Sequence, residues 1–511
     1  MVLPVIDLFA GPGGLAEGFA SLRDDSGNPC FDIRLSIERD SAAHKTLELR
    51  GFFRSFHDNP PRQYYDYIRG RIDRDELFSK PHFSRNRRRA EDEAWCLELC
   101  EKNHDAVKNR VRKTLNGAQE WILIGGPPCQ AYSVVGRSRM RSKHPIRFAR
   151  DKRHFLYKEY LRIIIDHEPP IFVMENVRGM LSSTIVGGES IFEHILEDLS
   201  RPDHGSLRYR IVPFCAGGDL FGFRPEEYLI RSENFGIPQA RHRVILCGIR
   251  EDIAGPQRFL KPQERVTLAD ALAGLPPLRS KLSREPDSHT SWVSAMREGS
   301  EAVRKRAGKS LLDVASRMDQ AAREAVTVSK TGGLFVPLNG CEISKSRNAQ
   351  MLHAWYRDAR LRGVPNHESR AHMRTDVHRY LFAASFADIR RDTPKLRDFP
   401  AFLLPDHENA KDAAEGWPFE DRFRVQLYDR PATTVVSHIA KDGHYYIHPD
   451  PKQCRSLTVR EAARLQTFPD NYLFEGNRTA QYTQVGNAVP PRLAYQIADI
   501  VFGILRKRNT D

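Results

Sequence analysis

The sequence predicts an α/β protein with a buried parallel sheet and a second, smaller domain. Three observations carry this expectation. Short apolar runs recur along the first half, and each leads at once into a loop rich in chemically capable residues. The stretches between them have the length and polarity of helices, as βαβ units require. From about 255 to 450 that rhythm fades, and Pro, His and Arg become frequent. A chain of 511 residues also exceeds one ordinary core, so two or three domains are expected.

Taken in order, the run 5–9 enters Ala10-Gly11-Pro12-Gly13-Gly14, and the run 33–37 ends at Glu38. The stretch 59–118 is highly charged, with Arg85, Arg87, Arg88 and Arg89 clustered, and reads as a largely helical insertion docked by Trp95, Leu97 and Leu99. Trp121-Ile122-Leu123-Ile124 meets Gly125-Gly126-Pro127-Pro128-Cys129-Gln130, and 171–174 meets Glu175-Asn176-Val177. Ligands of parallel sheets bind beyond the carboxyl ends of the strands, where these polar residues fall. After about 455 the pattern tightens, and 457–466 has helical periodicity with Thr458 as its N-cap.

Lys and Arg total 79 against 66 Asp and Glu, a net charge of +13 that favours contact with a polyanion. No apolar run approaches the roughly 20 residues that span a bilayer, and the first residues do not read as a signal peptide. The eight cysteines are scattered and suit a reducing compartment. Cys96 and Cys100 read as one helix face, without the further ligands a metal needs. His367, His372 and His378 match no closed ligand set and read as solvated or facing nucleic acid. No metal site is expected.

The glycine-rich turn after the first run lets backbone approach a ligand, although a tight structural turn would look the same. Glu38 strengthens the ligand reading, because a carboxylate there accepts both ribose hydroxyls of an adenosine cofactor. Two prolines fix the backbone before Cys129 and hold its sulfur in one direction, which suits a nucleophile better than a buried loop cysteine. Glu175 at another strand end is a candidate acid facing Cys129. Arg241 and Arg243, one residue apart before the run 244–247, point both guanidinium groups one way if the chain is extended.

Together these residues resemble the cytosine-C5 DNA methyltransferases. The ordered motifs are Asp-Leu-Phe-Ala-Gly-Pro-Gly-Gly (7–14), Glu38, Gly-Gly-Pro-Pro-Cys-Gln (125–130), Glu-Asn-Val (175–177) and Gln-Ala-Arg-His-Arg (239–243). They continue as Leu-Thr-x-Arg-Glu-Ala-Ala-Arg-Leu-Gln-x-Phe-Pro (457–469) and Gln-Val-Gly-Asn-Ala-Val-Pro-Pro (484–491). The resemblance implies a Rossmann-like methyltransferase sheet with a smaller target-recognition domain, and S-adenosylmethionine as methyl donor. It implies catalysis by Cys129, Glu175, Arg241 and Arg243. The cofactor would be held by Phe9, Gly11, Pro12, Gly14, Glu38, Arg39, Pro128, Asn487, Ala488 and Val489. Duplex DNA would be met by Gln130, Ser133, Arg137 and Thr434, with 133–141 closing over a flipped base.

The expected organisation is a catalytic domain at 1–254, target recognition at 255–450, and 451–511 returning to the catalytic domain. A monomer in the bacterial cytoplasm, on the nucleoid, is expected, with no membrane contact. A cognate restriction or defence-system protein is a candidate partner. Two rivals are a tRNA cytosine-C5 methyltransferase and a catalytically silent DNA-binding relative. The large variable region favours duplex DNA, where sequence is read in the groove.

Overall fold

The computed structural model describes residues 2–57, 59–128, 156–184, 190–215, 223–255, 258–338, 345–405 and 421–506. The chain forms two compact units. One comprises Met1–Pro61, Phe78–Glu264 and Ala488–Asp511, and the other Arg62–Leu77 and Arg265–Asn487.

The first unit is built on an eight-stranded sheet. Its strands are β1 (Leu3–Leu8), β2 (Phe31–Glu38), β3 (Ala94–Cys96), β4 (Ile122–Gly125), β5 (Ile171–Val177), β6 (Tyr209–Pro213), β7 (Leu229–Arg231) and β9 (His242–Arg250). The two residues of β8 (Gln239–Ala240) stand outside this sheet. The order β3-β2-β1-β4-β5 is parallel throughout, as the βαβ rhythm predicts. β9 departs from it, running antiparallel to β5, β6 and β7. The sheet is therefore mixed, and the reversal brings the first residues of β9 to the carboxyl edge of β5.

All six residues of β1 are buried, because the sheet is covered on both faces. One core gathers Val5, Ile33, Ile124 and Val173 with helix α1 (Gly14–Ser21) and the C-terminal helix Pro491–Arg506. The other gathers Ile6, Leu35, Leu123 and Phe172 with Val107, Val111 and Leu115. The alternation of strand side chains between faces sends neighbouring apolar residues to different cores.

The charged stretch 59–118 is not one body. It holds α3 (Arg62–Ile68), α4 (Arg74–Ser79), α5 (Ser84–Glu93) and α6 (His104–Leu115), and residues 62–77 pack with the second unit. The remainder docks on the first sheet with Leu99 buried and Trp95 and Leu97 half-buried. Part of that docking is strand pairing, since β3 extends the sheet beside β2. Cys96 therefore ends a strand, and Cys100 lies beyond it, so the pair shares no helix face.

The second unit has its own core around Trp292, Met296, Met318, Tyr380 and Leu381, formed by helices His289–Arg306, Leu312–Glu324 and Arg374–Arg390. The helix expected near 457–466 spans Val459–Leu465, with Thr458 accepting from the Glu461 N–H in a capping box. Residues 451–487 belong to this unit, so the return to the first unit begins at Ala488 rather than 451. Among the described residues no helix is long and apolar enough to cross a membrane.

The return is fixed by α1. A Cβ at Gly18 would lie 2.4 Å from Ala494 Cβ and 2.5 Å from the Pro491 carbonyl oxygen. Gly18→Ala should cost about 1–3 kcal/mol through overpacking, read as a lower urea midpoint with unchanged slope. An unchanged midpoint would mean that this close helix contact is not maintained in solution.

Candidate active site

The register of the sheet brings four strand ends together. Leu8 on β1 pairs with Ile37 on β2 and with Gly125 on β4, and Gly125 pairs with Met174 on β5. The next residue in each strand's path, Phe9, Glu38, Gly126 or Glu175, thus lies on one edge.

Phe9 leaves β1 in the left-handed region, with φ at 55°, and its half-buried ring packs on the second core. Gly11 at φ 56° has nothing within 4 Å of a would-be Cβ, so its backbone faces open space. At Gly14 a Cβ would meet the Val489 carbonyl oxygen at 2.2 Å, and only glycine permits that closure. Pro12 is buried beside it. Glu38 fixes the loop from the neighbouring strand: Oε2 accepts from the Gly11 N–H and Oε1 from the Asp40 N–H, both at 2.8 Å. Asp40 in turn caps α2 (Ser41–Arg54). An aromatic ring, open glycine backbone and a carboxylate with spare lone pairs fit an adenosine-bearing cofactor. Arg39 instead pairs with Glu98 at 3.0 Å, both more than half exposed.

The β4 exit loop runs against the candidate acid. A Cβ at Gly126 would lie 3.0 Å from Glu175 Oε2. Pro127 is buried and Pro128 half-buried, and Cys129, Gln130, Ser133 and Arg137 lie outside the described residues. Glu175 stands opposite Ile245 in the β5–β9 ladder, and Arg243 is two residues away on the same face. Arg243 Nε donates to Glu175 Oε1 at 2.9 Å, with both side chains about one-seventh exposed. Burial lowers the Arg243 pKa, and the Glu175 charge opposes that fall. Arg241 lies in the gap between β8 and β9 and is 1% exposed. Its carbonyl accepts from the Ser232 hydroxyl at 2.7 Å. The extended stretch expected to carry both arginines is thus interrupted at Arg241.

Sequence reasoning passed over two features of this edge. Asp7 is 1% exposed near the end of β1, and among the described residues neither carboxylate oxygen has a hydrogen-bond partner. Burial pushes its pKa well above the ordinary carboxylate range, and Glu38 adds to the rise. The signal was present, as a lone charge in an otherwise apolar run. The second feature is a buried ion network below α1. Arg50 Nε donates to Glu17 Oε2 at 2.8 Å, while Arg54 pairs with both Glu17 and Glu93. Burial would raise the Glu17 pKa, but the two guanidinium groups outweigh it and hold it low. Glu93 ends α5, so the network ties the inserted helix to α1.

The other expected site residues fall elsewhere. Thr434, just past the short strand Ala432–Thr433 of the second unit, accepts through its carbonyl from the Tyr446 hydroxyl at 2.9 Å. Asn487 closes the helix Arg478–Asn487 in that unit, whereas Ala488 and Val489 belong to the first. The histidines expected to be solvated are largely structural. His367 is fully buried, with its Nδ1 2.9 Å from the Thr458 hydroxyl, and burial lowers its pKa to about 4. His372 is 4% exposed beside Ser456, and His378 is partly buried. Short polar spacing reads alike for surface and core histidines, so the sequence did not separate them.

Comparison with known proteins bears on this arrangement. The profile of the C-5 cytosine-specific DNA methylase family matches residues 89–502. The chain is 31% identical over 522 residues to the type II methyltransferase M.Bpa9945I of Bacillus paralicheniformis, covering 98% of this chain and 99% of that one. It is 27% identical over 423 residues to the DNA (cytosine-5-)-methyltransferase M.ApeKI of Aeropyrum pernix, covering 76% and 83%. A crystal structure described as a prophage-encoded DNA modification methyltransferase of E. coli shares the fold, with a TM-score of 0.53 at 17% identity and 99% of both chains covered.

The Glu175–Arg243 pair makes a separable prediction about stability. Arg243→Ala strands a carboxylate in a poorly solvated position and should cost about 3 kcal/mol. Adding Glu175→Gln removes the stranded charge and should restore more than half of that loss. Urea unfolding of the two single variants and the double variant measures the coupling. Additive losses would show that the pair contributes nothing as a pair.

Proposed function

The chain belongs to the C-5 cytosine-specific DNA methylase family, and from that premise we propose which residues carry out the methylation and with which donor. The activity is that of a DNA (cytosine-5-)-methyltransferase. The observation that best supports the residue assignment is the meeting of the Gly126 loop, Glu175 and Arg243 on one sheet edge.

Cytosine C5 is a poor nucleophile until its ring is activated. The Cys129 thiolate attacks C6, breaking aromaticity and moving electron density to C5 and N3. Free cysteine has a pKa near 8.5, so a positive environment is needed to hold the thiolate. Glu175, positioned by Arg243, hydrogen-bonds the N3 edge and shares a proton with it as charge develops there. Arg241 and Arg243 help provide that positive field and hold the base O2. S-adenosylmethionine, when bound, supplies the electrophilic methyl group. Once C5 carries the methyl group, solvent water takes the C5 proton, the C–H electron pair re-forms the C5–C6 double bond, and the Cys129 sulfur leaves as thiolate. A stacked base cannot reach this edge, so the target is flipped out at a cost of about a few kcal/mol. Residues 133–141 close over it, with Gln130, Ser133 and Arg137 against the DNA.

Phe9, Gly11, Pro12, Gly14 and Glu38 hold the adenosine part of the donor, with Pro128, Ala488 and Val489 completing its pocket. Arg39 contributes only if its exposed pairing with Glu98 is released. The stretch 255–450 selects the methylated sequence in duplex DNA, with Thr434 in the element that reads it. The type II naming of the relatives supports a role beside a cognate restriction enzyme or defence system. A monomer on the bacterial nucleoid completes the reading.

Cys129→Ala should abolish methyl transfer to duplex DNA while leaving duplex binding intact, because a methyl group cannot add to C6. Tritiated methyl transfer and gel shift on the same preparation measure both. Turnover above about a thousandth of wild type would overturn the assignment. Glu38→Ala removes the acceptor that also fixes Gly11, and should weaken S-adenosylmethionine by about 1.5–3 kcal/mol in calorimetry. Unchanged affinity would make Glu38 a purely structural loop anchor.

A further inference from the structure

The arginine cluster at 85–89 takes no part in the chemistry above, yet the fold gives it a defined setting. β3 covers only Ser36, Ile37 and Glu38 of β2, so residues 32–34 have no paired strand on that side among the described residues. The bay beside them is a groove of about 450 Å³, walled by α5 and α6. Arg85, Arg88 and Arg89 share one face of α5 at i, i+3 and i+4. Arg110 and Lys113, three apart on α6, line the groove with them, and Arg34 comes from β2.

Six cations thus meet three carboxylates there. Asp32 is held by Arg89 at 2.8 Å and by Arg34 at 3.3 Å, and Asp92 by Arg110 at 3.3 Å. Glu93 is buried and engaged by Arg54. Arg85, Arg88 and Lys113 are exposed and have no carboxylate partner among the described residues. Unpaired cations on two walls of one groove repel each other, and they raise the local concentration of anions. Guanidinium forks match phosphate oxygens in geometry as well as charge. An open groove with charges spread along two helices fits an extended polyanion better than a small enclosed anion.

We propose that this groove binds phosphates of the DNA backbone outside the methylated sequence. It is a second contact surface, separate from the sheet edge that carries Glu175. The proposal rests on the methyltransferase reading only for the identity of the polyanion. Its test measures binding, so failure of the Cys129 assignment would leave the result unchanged.

The test uses the full chain with Arg85→Gln, Arg88→Gln and Lys113→Gln combined. Anisotropy follows binding to duplexes of about 15 and about 50 base pairs, each centred on the methylated sequence mapped by bisulfite sequencing. The triple variant should lose about tenfold affinity for the long duplex. The slope of log affinity against log salt should become shallower by about 2–3. Affinity for the short duplex should change less than about twofold. Equal loss on both lengths, or no loss on the long one, would overturn the proposal. If the triple variant melts early, Arg85→Gln and Lys113→Gln alone should each reduce the long-duplex slope by about 1. Acylation of Lys113 distinguishes the source of phosphate: the long duplex should protect it, and inorganic phosphate at equal phosphate concentration should not. Equal protection by inorganic phosphate would make the groove a small-anion site and overturn the DNA reading.

Discussion

The parallel pairing of β1 with β2 on one side and β4 on the other, continued from β4 to β5, governs where Phe9, Glu38, Gly126 and Glu175 end up. A parallel ladder sends all its strands out at the same edge, so residues far apart in sequence become neighbours there. Leu8, Ile37, Gly125 and Met174 share a level, and each leads directly into a loop or a carboxylate. A slip of one residue would turn Glu38 or Glu175 to the other face of the sheet. The buried faces on both sides set that register, because Val5 and Ile6, or Ile122 and Leu123, must each find their own core. β9 adds the one group that a parallel strand would carry to the far edge. By running antiparallel to β5 it places Arg243 within hydrogen-bond reach of Glu175.

Charge is concentrated at this edge at some energetic cost. Asp7, Glu38 and Glu175 all stand within two residues of a strand's carboxyl end, and among the described residues only Asp7 of the three lacks a hydrogen-bond partner for its carboxylate. A buried carboxyl without partners is tolerated chiefly in its neutral form, consistent with the upward shift of its pKa. Below α1, Glu17 is satisfied by Arg50 and Arg54, and Arg54 reaches Glu93 on α5. The inserted helix is therefore coupled to α1 by ions rather than by apolar packing alone. Buried ion pairs add little net stability compared with apolar packing. They do restrict which arrangement satisfies every charge, and that geometric demand suits a turn that must stay open over Gly11.

Much of this site was legible because strand ends and loops are local events. Short apolar runs ending at Phe9, Glu38, Gly125 and Met174 mark strands wherever the surrounding helices bury both faces. The N-cap at Thr458 was legible for the same reason, since capping involves residues only three apart. What was not legible depends on distant partners. The direction of β9 is decided by pairing with β5 and β6, and its own sequence reads the same in either direction. The stretch 59–118 is uniformly charged, yet its residues 62–77 pack in a different unit from the rest. Cys96 and Cys100 have helical spacing, but three residues of strand pairing decide otherwise. His367 looks solvated among polar neighbours until Thr458, ninety-one residues later, is placed beside it.

Net charge shows the same limit in its sharpest form. The figure of +13 counts every arginine alike, whereas their positions differ in kind. Arg455 is fully buried and bonded to Glu461, and Arg464 is buried and bonded to Asp470. Arg460 is buried too, and donates to the carbonyls of Pro365, Pro469 and Tyr472. Such groups are committed to holding the second unit together and present no field to a ligand. Attraction of a polyanion depends on cations that are exposed and not already neutralised by a neighbouring carboxylate. By that criterion Arg85, Arg88 and Lys113 count for more than the larger number of arginines buried in the interior. A sequence total therefore indicates a polyanion as partner, but only burial and pairing indicate which surface meets it.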